Sequence, residues 1–316
     1  MYNSGISGYL LYHKKNGVTS FGALSAVKKA LLTDKAGHTG TLDKFASGLL
    51  LVLTGRALKL APLFADCDKR YEGVIKFGEE TDTLDLEGAV IAEAPLPSVK
   101  ALTSVLSQFR GAIMQEPPVY SAIHVGGKRA SDLVRGGETV TLQKRPIVIY
   151  GLELVSYESP FAKIRVHCSK GTYIRSLARD IALAAGSRAH LVSLNRTQIA
   201  GFCLADAITE DDLFNVYQSM HDINNIEETI RIESLIRPVD KEMFTLLNLP
   251  YCMVDEQTAQ AIVHGKALAP LFAPIMRATN FADGMFGVFS ESKEQFIAFV
   301  EKKREIWKYG YVYADA

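Results

Sequence analysis

Gly37-His38-Thr39-Gly40-Thr41-Leu42-Asp43 is seven residues long and almost wholly small or polar. It lies between two apolar runs, Ala26–Leu32 and Leu49–Leu53, so the fold holds it from both sides. Its two glycines permit backbone angles that a side chain forbids. Catalytic groups concentrate on loops that a rigid scaffold positions. One carboxylate, one imidazole and two hydroxyls lie within reach of a common point, which makes Asp43 the first candidate for chemistry.

Upstream of the loop, residues 8–12 (Gly-Tyr-Leu-Leu-Tyr) predict a short strand. Thr19 or Ser20 can cap a helix in which Phe21, Leu24, Val27 and Leu31 fall near helical spacing. Downstream, Leu49–Leu53 reads as a buried strand, Arg56–Ala65 as a helix and Lys69–Phe77 as a strand ended by Gly78. The acidic run Glu79–Asp85 reads as a solvated loop, and Pro95 and Pro97 precede a helix over Ser98–Phe109. Pro117–Val140 carries glycine pairs beside bases, Gly126-Gly127-Lys128-Arg129 and Arg135-Gly136-Gly137. It is either an ordinary surface hairpin or a mobile, RNA-contacting excursion. Arg145–Tyr157 and Phe161–Cys168 read as paired strands. In the second, Ile164, Val166 and Cys168 alternate with Lys163, Arg165 and His167, giving one apolar and one cationic face. Such a row is either simply solvated or a surface for a phosphate backbone. Lys170-Gly171-Thr172 breaks that strand and caps a helix over Tyr173–Ala185, closed by Gly186. This places Tyr173 and Arg175 in its first turn. Leu191–Ile199 returns as a strand, and helices are expected around Thr209–Tyr217 and Ile226–Ile236. Arg237-Pro238 and Leu249-Pro250 flank a linker. Beyond it come a helix at Ala259–Lys266 and strands at Gly284–Phe289, Phe296–Val300 and Tyr309–Tyr313.

A chain of 316 residues accommodates one large domain and a small one. With 48% hydrophobic and 22% charged residues it has the composition of a soluble globular protein, and no apolar run approaches a membrane span. Cys67, Cys168, Cys203 and Cys252 are spaced for neither a zinc ribbon nor a disulfide framework, which points to reduced thiols in a cytoplasmic protein. The formal charge is zero, yet residues 1–200 hold 25 Lys+Arg against 17 Asp+Glu, and residues 201–316 hold 10 against 18. The asymmetry is either chance drift or the mark of an anionic ligand on the N-terminal part.

Four motifs occur in order: Gly37–Asp43; Lys69-Arg70-Tyr71; Cys168-Ser169-Lys170-Gly171-Thr172-Tyr173-Ile174-Arg175; and Leu194-Asn195-Arg196-Thr197 followed by Gly201-Phe202. Together they resemble the TruB-type tRNA pseudouridine synthases of the bacterial, stand-alone type, from about Tyr9 to Phe202. The resemblance implies an α/β (α+β) catalytic domain on a mixed, largely antiparallel sheet over residues 1–240. Residues 117–140 would be its RNA-clamping insertion, and residues 250–316 a small β-rich PUA-like domain. It further implies isomerisation of the T-loop uridine at tRNA position 55, by base flipping, with no metal or organic cofactor. The partner is the T arm of tRNA; no membrane and no obligatory protein partner is implied, and a monomer is expected. Asp43 matches the nucleophile, attacking either the ribose C1′ or the base at C6. Arg175 matches the arginine that pairs with that carboxylate and favours its charged form. Tyr71 matches the tyrosine that stacks on the target uracil, Tyr173 a second active-site tyrosine, and Leu194 an apolar contact to the flipped base. His38 matches the histidine that enters the gap left by the flipped nucleotide. Lys14 matches the lysine of an Asp-Lys-Pro motif, here His13-Lys14-Lys15, with a phosphate-side role. A further departure puts Lys44 where the family carries proline after the nucleophile, which removes a φ constraint. Two rival readings remain on the sequence: a guide-RNA-dependent synthase, and a non-catalytic RNA-binding or RNA-folding protein.

Overall fold

The computed structural model describes residues 7–215, 235–272, 283–304 and 306–313. Strands β1 (Gly8–Lys14), β2 (Ala36–His38), β3 (Ser47–Thr54) and β4 (Lys69–Phe77) form the N-terminal part of the main sheet, with helix α1 (Ser20–Ala30) between the first two. Thr19 caps α1 as expected, accepting from the Gly22 amide at 3.0 Å. A 3-10 turn at Gly55–Leu60 and a short α2 (Ala61–Ala65) replace the single helix expected there, because Pro62 in the first turn lets a helix begin only after the turn. A small antiparallel pair, β5 (Glu79–Thr81) and β6 (Val90–Glu93), and helix α3 (Val99–Leu106) lead to β7 (Gly111–Gln115). Residues 117–140 hold a two-residue-per-strand hairpin, β8 (His124–Val125) and β9 (Lys128–Arg129), and helix α4 (Ala130–Arg135). Strands β10 (Arg145–Glu158) and β11 (Phe161–Cys168), helix α5 (Ile174–Ala184), β12 (Ala189–Ile199) and β13 (Phe202–Cys203) complete the sheet.

Its order is β1-β3-β12-β4-β11-β10-β7, with β2 on β3 and β13 on β12. Every pairing is antiparallel except β12 on β3, which is parallel. The register brings distant stretches side by side: Arg196 faces Gly48 on β3 and Tyr71 on β4. That approach explains a glycine. Gly48 has φ +113°, and a Cβ there would lie 2.4 Å from the Arg196 carbonyl oxygen. Neither Gly37 nor Gly40 of the opening stretch has a positive φ, and Gly37-His38 is strand rather than loop. The conformational freedom expected inside the loop is thus used at its end.

The strand alternation read from the sequence holds. Ala162, Ile164, Val166 and Cys168 point into a core with Ile75, Phe77 and the inner face of α5, while Lys163, Arg165 and His167 point outward. The cationic row is not free: Lys163 and Arg165 pair with Glu72 at 3.1 and 2.9 Å, and the His167 ring lies against Tyr150 at 4.9 Å, tilted by 47°.

A separate four-stranded sheet follows, β14 (Tyr251–Val254), β15 (Gly284–Ser290), β16 (Phe296–Lys303) and β17 (Ile306–Val312), in that spatial order. Helices α6 (Lys241–Leu246) and α7 (Glu256–Val263) accompany it. The stretch expected as a linker is instead core. Met243 and Phe244 of α6 are fully buried, and Phe244 packs with Phe289, Phe296 and Phe299 of the small sheet and with Tyr9, Leu49 and Phe202 of the large one. The helix expected around Thr209–Tyr217 is seen over 210–215; the remainder of that stretch, and most of Ile226–Ile236, lie outside the described residues. No helix among the described residues is long and apolar enough to cross a membrane.

Candidate active site

Asp43 sits at the mouth of a cleft of about 320 Å³, with its carboxylate 37% exposed. Arg175, from the first turn of α5, meets it from below. Its Nε lies 2.9 Å from Asp43 Oδ2, and Nη2 donates to Oδ1 at 3.1 Å. The two residues are 132 apart in sequence. One hydrogen bond from Nη2, beside the close ionic contact at Nε, fixes the carboxylate's orientation against a permanent positive charge. Arg175 is itself only 5% exposed and is held on its far side by the Thr83 carbonyl at 2.8 Å and the Tyr120 carbonyl at 3.1 Å.

A second carboxylate shares that arginine. Asp85 Oδ2 lies 3.4 Å from Arg175 Nη1, and Asp85 is 6% exposed. The acidic run 79–85 is therefore not a solvated loop. Its first residues form β5, Glu80 pairs with Arg188 at 2.8 Å, and Asp85 turns inward. Burial pushes the Asp85 carboxyl above its ordinary value and the Asp43 charge adds to that, while the Thr83 hydroxyl, the Glu87 amide and Arg175 oppose it. The sequence offered one signal for this that went unused: Thr83 and Leu84 break the acidic run with a hydroxyl and an apolar residue beside Asp85.

Tyr71, Tyr173 and Leu194 line the same cleft as Asp43 and Arg175. Burial raises the phenol pKa of both tyrosines, so both remain neutral donors at neutral pH. Tyr173 is the N-cap of α5, but neither it nor Thr172 caps the helix with a side chain. Gln115, 2% exposed at the end of β7, does the holding. Its amide accepts from Tyr173 N at 2.8 Å and donates to Tyr173 O at 3.1 Å. His38 lies at the end of β2 and is not among the residues lining the cleft. Burial, then the Arg196 charge, lowers its pKa, and Nδ1 is buried without a hydrogen-bond partner.

Lys14 is placed where no phosphate reaches it. It is fully buried, and its ammonium donates to the carbonyls of Val18 (2.6 Å), Lys15, Lys44 and Ala46. Strand β1 carries it behind the loop that bears Asp43, and it does not line the cleft. Burial pushes its pKa down to about 8, although the Asp43 charge works the other way. Ser20 completes the same clamp, accepting from Leu42 N at 2.8 Å and donating to Leu42 O at 3.0 Å. Lys44, in place of the family's proline, makes an exposed pair with Glu87 at 3.3 Å.

Residues 28–174 match the family model described as TruB family pseudouridylate synthase (N terminal domain), and residues 175–243 match the tRNA pseudouridylate synthase B C-terminal domain. The tRNA pseudouridine synthase B of Azoarcus sp. is 40% identical over 264 residues, covering 83% of both chains. The chain belongs to the TruB family. The tRNA pseudouridine synthase B of Bordetella avium is 47% identical over 66% of this chain and 87% of its own; that of Treponema denticola is 46% identical over 65% and 63% respectively. A solved Cbf5–Nop10–Gar1 complex contains a chain of similar fold, with a TM-score of 0.68 and 25% identity over 93% of this chain and 78% of that one. The boundary between the two TruB segments falls between Ile174 and Arg175, so the Asp43–Arg175 pair is built from both.

Proposed function

We propose that this TruB-family protein converts the T-loop uridine of tRNA, at position 55, to pseudouridine, with Asp43 as nucleophile. The observation that carries the reading is the Asp43–Arg175 ion pair, with one hydrogen bond from Nη2, in a cleft also lined by Tyr71, Tyr173 and Leu194. Arg175 aims the carboxylate and sets a permanent positive charge beside it. Asp43 then bonds to C1′, breaking the C1′–N1 bond, or adds to C6, moving the C5=C6 electron pair into the ring, after which the C1′–N1 bond breaks. In both cases the displaced electron pair passes onto the uracil ring. The base rejoins the ribose through C5, the C5 proton leaves, and Asp43 is released unchanged. Tyr71 stacks on the extruded base, worth about 1–3 kcal/mol per base, which offsets much of the few kcal/mol that flipping costs. Tyr173 closes the other side of the base, Leu194 packs against it, and His38 fills the vacated stack. Lys14 serves the reaction from behind, by holding the carbonyls of Lys44 and Ala46 rather than a phosphate.

Residues 117–140 clamp the T arm, a loop whose bases can be splayed out. Residues 250–316 form a PUA-like RNA-binding domain, supported by the separate sheet β14–β17. On this reading the protein acts in the cytoplasm as a monomer, without a guide RNA or obligatory partner. Tritium release from a tRNA transcript labelled at uridine C5, using purified protein alone, tests the reading. Release is expected from wild type and none from Asp43→Asn, which still binds tRNA. No release from wild type without a guide RNA sinks the stand-alone assignment, and full activity of Asp43→Asn removes Asp43 from the mechanism.

A further inference from the structure

Arg196 is among the largest fully buried side chains of the described residues, at 2% exposure, yet it makes no ion pair with any described carboxylate. Its donors go to main chain. Nε donates to Leu49 O at 2.8 Å, Nη2 to Gly40 O at 3.1 Å and Nη1 to Thr41 O at 3.5 Å. Two of these carbonyls lie within three residues of Asp43. The strand register seats the same guanidinium beside Tyr71, where it bears on the phenol hydroxyl. It lines the cleft with both.

A buried cation without a counter-ion is costly. The loop's carbonyls do not require one, because a neutral hydroxyl suffices at Leu42. The charge on Arg196 therefore exceeds what local structure demands, and it faces the one place where negative charge moves. When Asp43 becomes bonded to carbon, its charge passes to the uracil ring, and Arg175 loses a partner. A fixed, uncancelled guanidinium keeps the site complementary to the displaced charge.

Resting on the function proposed above, we propose that Arg196 is a positioning residue for the isomerisation. It locks the nucleophile loop and the stacking tyrosine into one register and supplies the cleft's fixed positive charge. Single-turnover tritium release, with tRNA affinity measured separately, tests this on R196K and R196Q. Both variants are expected to bind tRNA within about threefold of wild type, placing the loss in the chemical step. R196Q is expected to be slower by about 100-fold or more, as when one preorganised charge or donor is removed. R196K falls between the two. A buried lysine titrates where guanidinium does not, so R196K also gains an alkaline fall in rate additional to any in wild type. A merely structural role gives no such added limb. Wild-type rate in R196Q, or an unchanged pH profile in R196K, overturns the proposal. Should neither variant show a cooperative melting transition, Y71F decides, since it removes only the hydroxyl that Arg196 meets. A fall of about tenfold or more at unchanged affinity supports the proposal; an undiminished rate overturns it. Activity of wild type on the same tRNA separates failure of this inference from failure of the function itself.

Discussion

Arg175 at the start of α5 and Arg196 near the end of β12 are both almost wholly buried, and both bear on the stretch that ends in Asp43. Their surroundings are opposite. Among the described residues Arg175 meets two carboxylates and two carbonyls, and Arg196 three carbonyls and no carboxylate. The first holds the reacting group by its charge. The second holds the chain that carries the reacting group. One loop is thus reactive in front and saturated with donors behind, where Lys14, Ser20 and Arg196 together engage the carbonyls of residues 40, 41, 42, 44, 46 and 49. Preorganisation here means that little of the loop is left to choose its own conformation.

The front of the loop offers the largest effect. Arg175→Met strands Asp43 and the buried Asp85 together, and should cost about 3–5 kcal/mol of stability by denaturant titration while reducing tritium release to background. Asp85→Asn removes the rival carboxylate and leaves the Asp43 pair, so a rate loss of about 10–100-fold is expected, the size of one hydrogen bond to a charged group. Its stability should move the other way with pH. The Asp85 carboxyl binds its proton more tightly folded than unfolded, so wild type loses stability as pH rises from the ordinary carboxylate value of 3.8 through the raised one. Asp85→Asn removes that step, which melting curves across pH would show.

Behind the loop the effects shrink. Lys14→Met keeps the volume but leaves four carbonyls without their donor, for about 1–3 kcal/mol of stability, a slower chemical step and unchanged tRNA affinity. Wild type should also slow above about pH 8, where folded Lys14 gives up its proton. Between that value and the ordinary 10.5 the unfolded chain binds more protons, so stability rises with pH while rate falls; Lys14→Met should show neither trend. At the loop's rim, Glu87→Gln breaks only the exposed pair with Lys44 and should change stability by less than about 1 kcal/mol. A large effect there would mean that the Lys44 pair has taken over the stiffening role of the missing proline.

The cleft residues were legible because motif spacing is carried by side-chain identity: Asp43, Tyr71, Tyr173 and Arg175 line one cleft. The alternating faces of β11 and the strands of the C-terminal sheet were legible from periodicity. What escaped was whatever depends on backbone partners or on burial of charge. Asp85 looked like one more acid in a solvated run, and Lys14 like a surface base. Gln115 could not be connected to Tyr173 at all, since its partners are an amide and a carbonyl 58 residues away that every residue but proline possesses. Arg196 was visible as a letter in a motif and invisible as a clamp for the same reason.

The parallel pairing of β12 on β3 has a consequence for how activity arises during synthesis. Asp43 leaves the ribosome early, but Arg175 follows 132 residues later and Arg196 closes on Leu49 across 147. At about 5–20 residues per second the first of these gaps alone lasts roughly 7–26 s. Throughout that interval β3 has no β12 beside it, Gly48 has no neighbour to make room for, and the nucleophile loop has no arginine on either side. The nascent chain carries its reactive aspartate in an unassembled state, and the enzyme switches on late, when the strand that closes the sheet arrives.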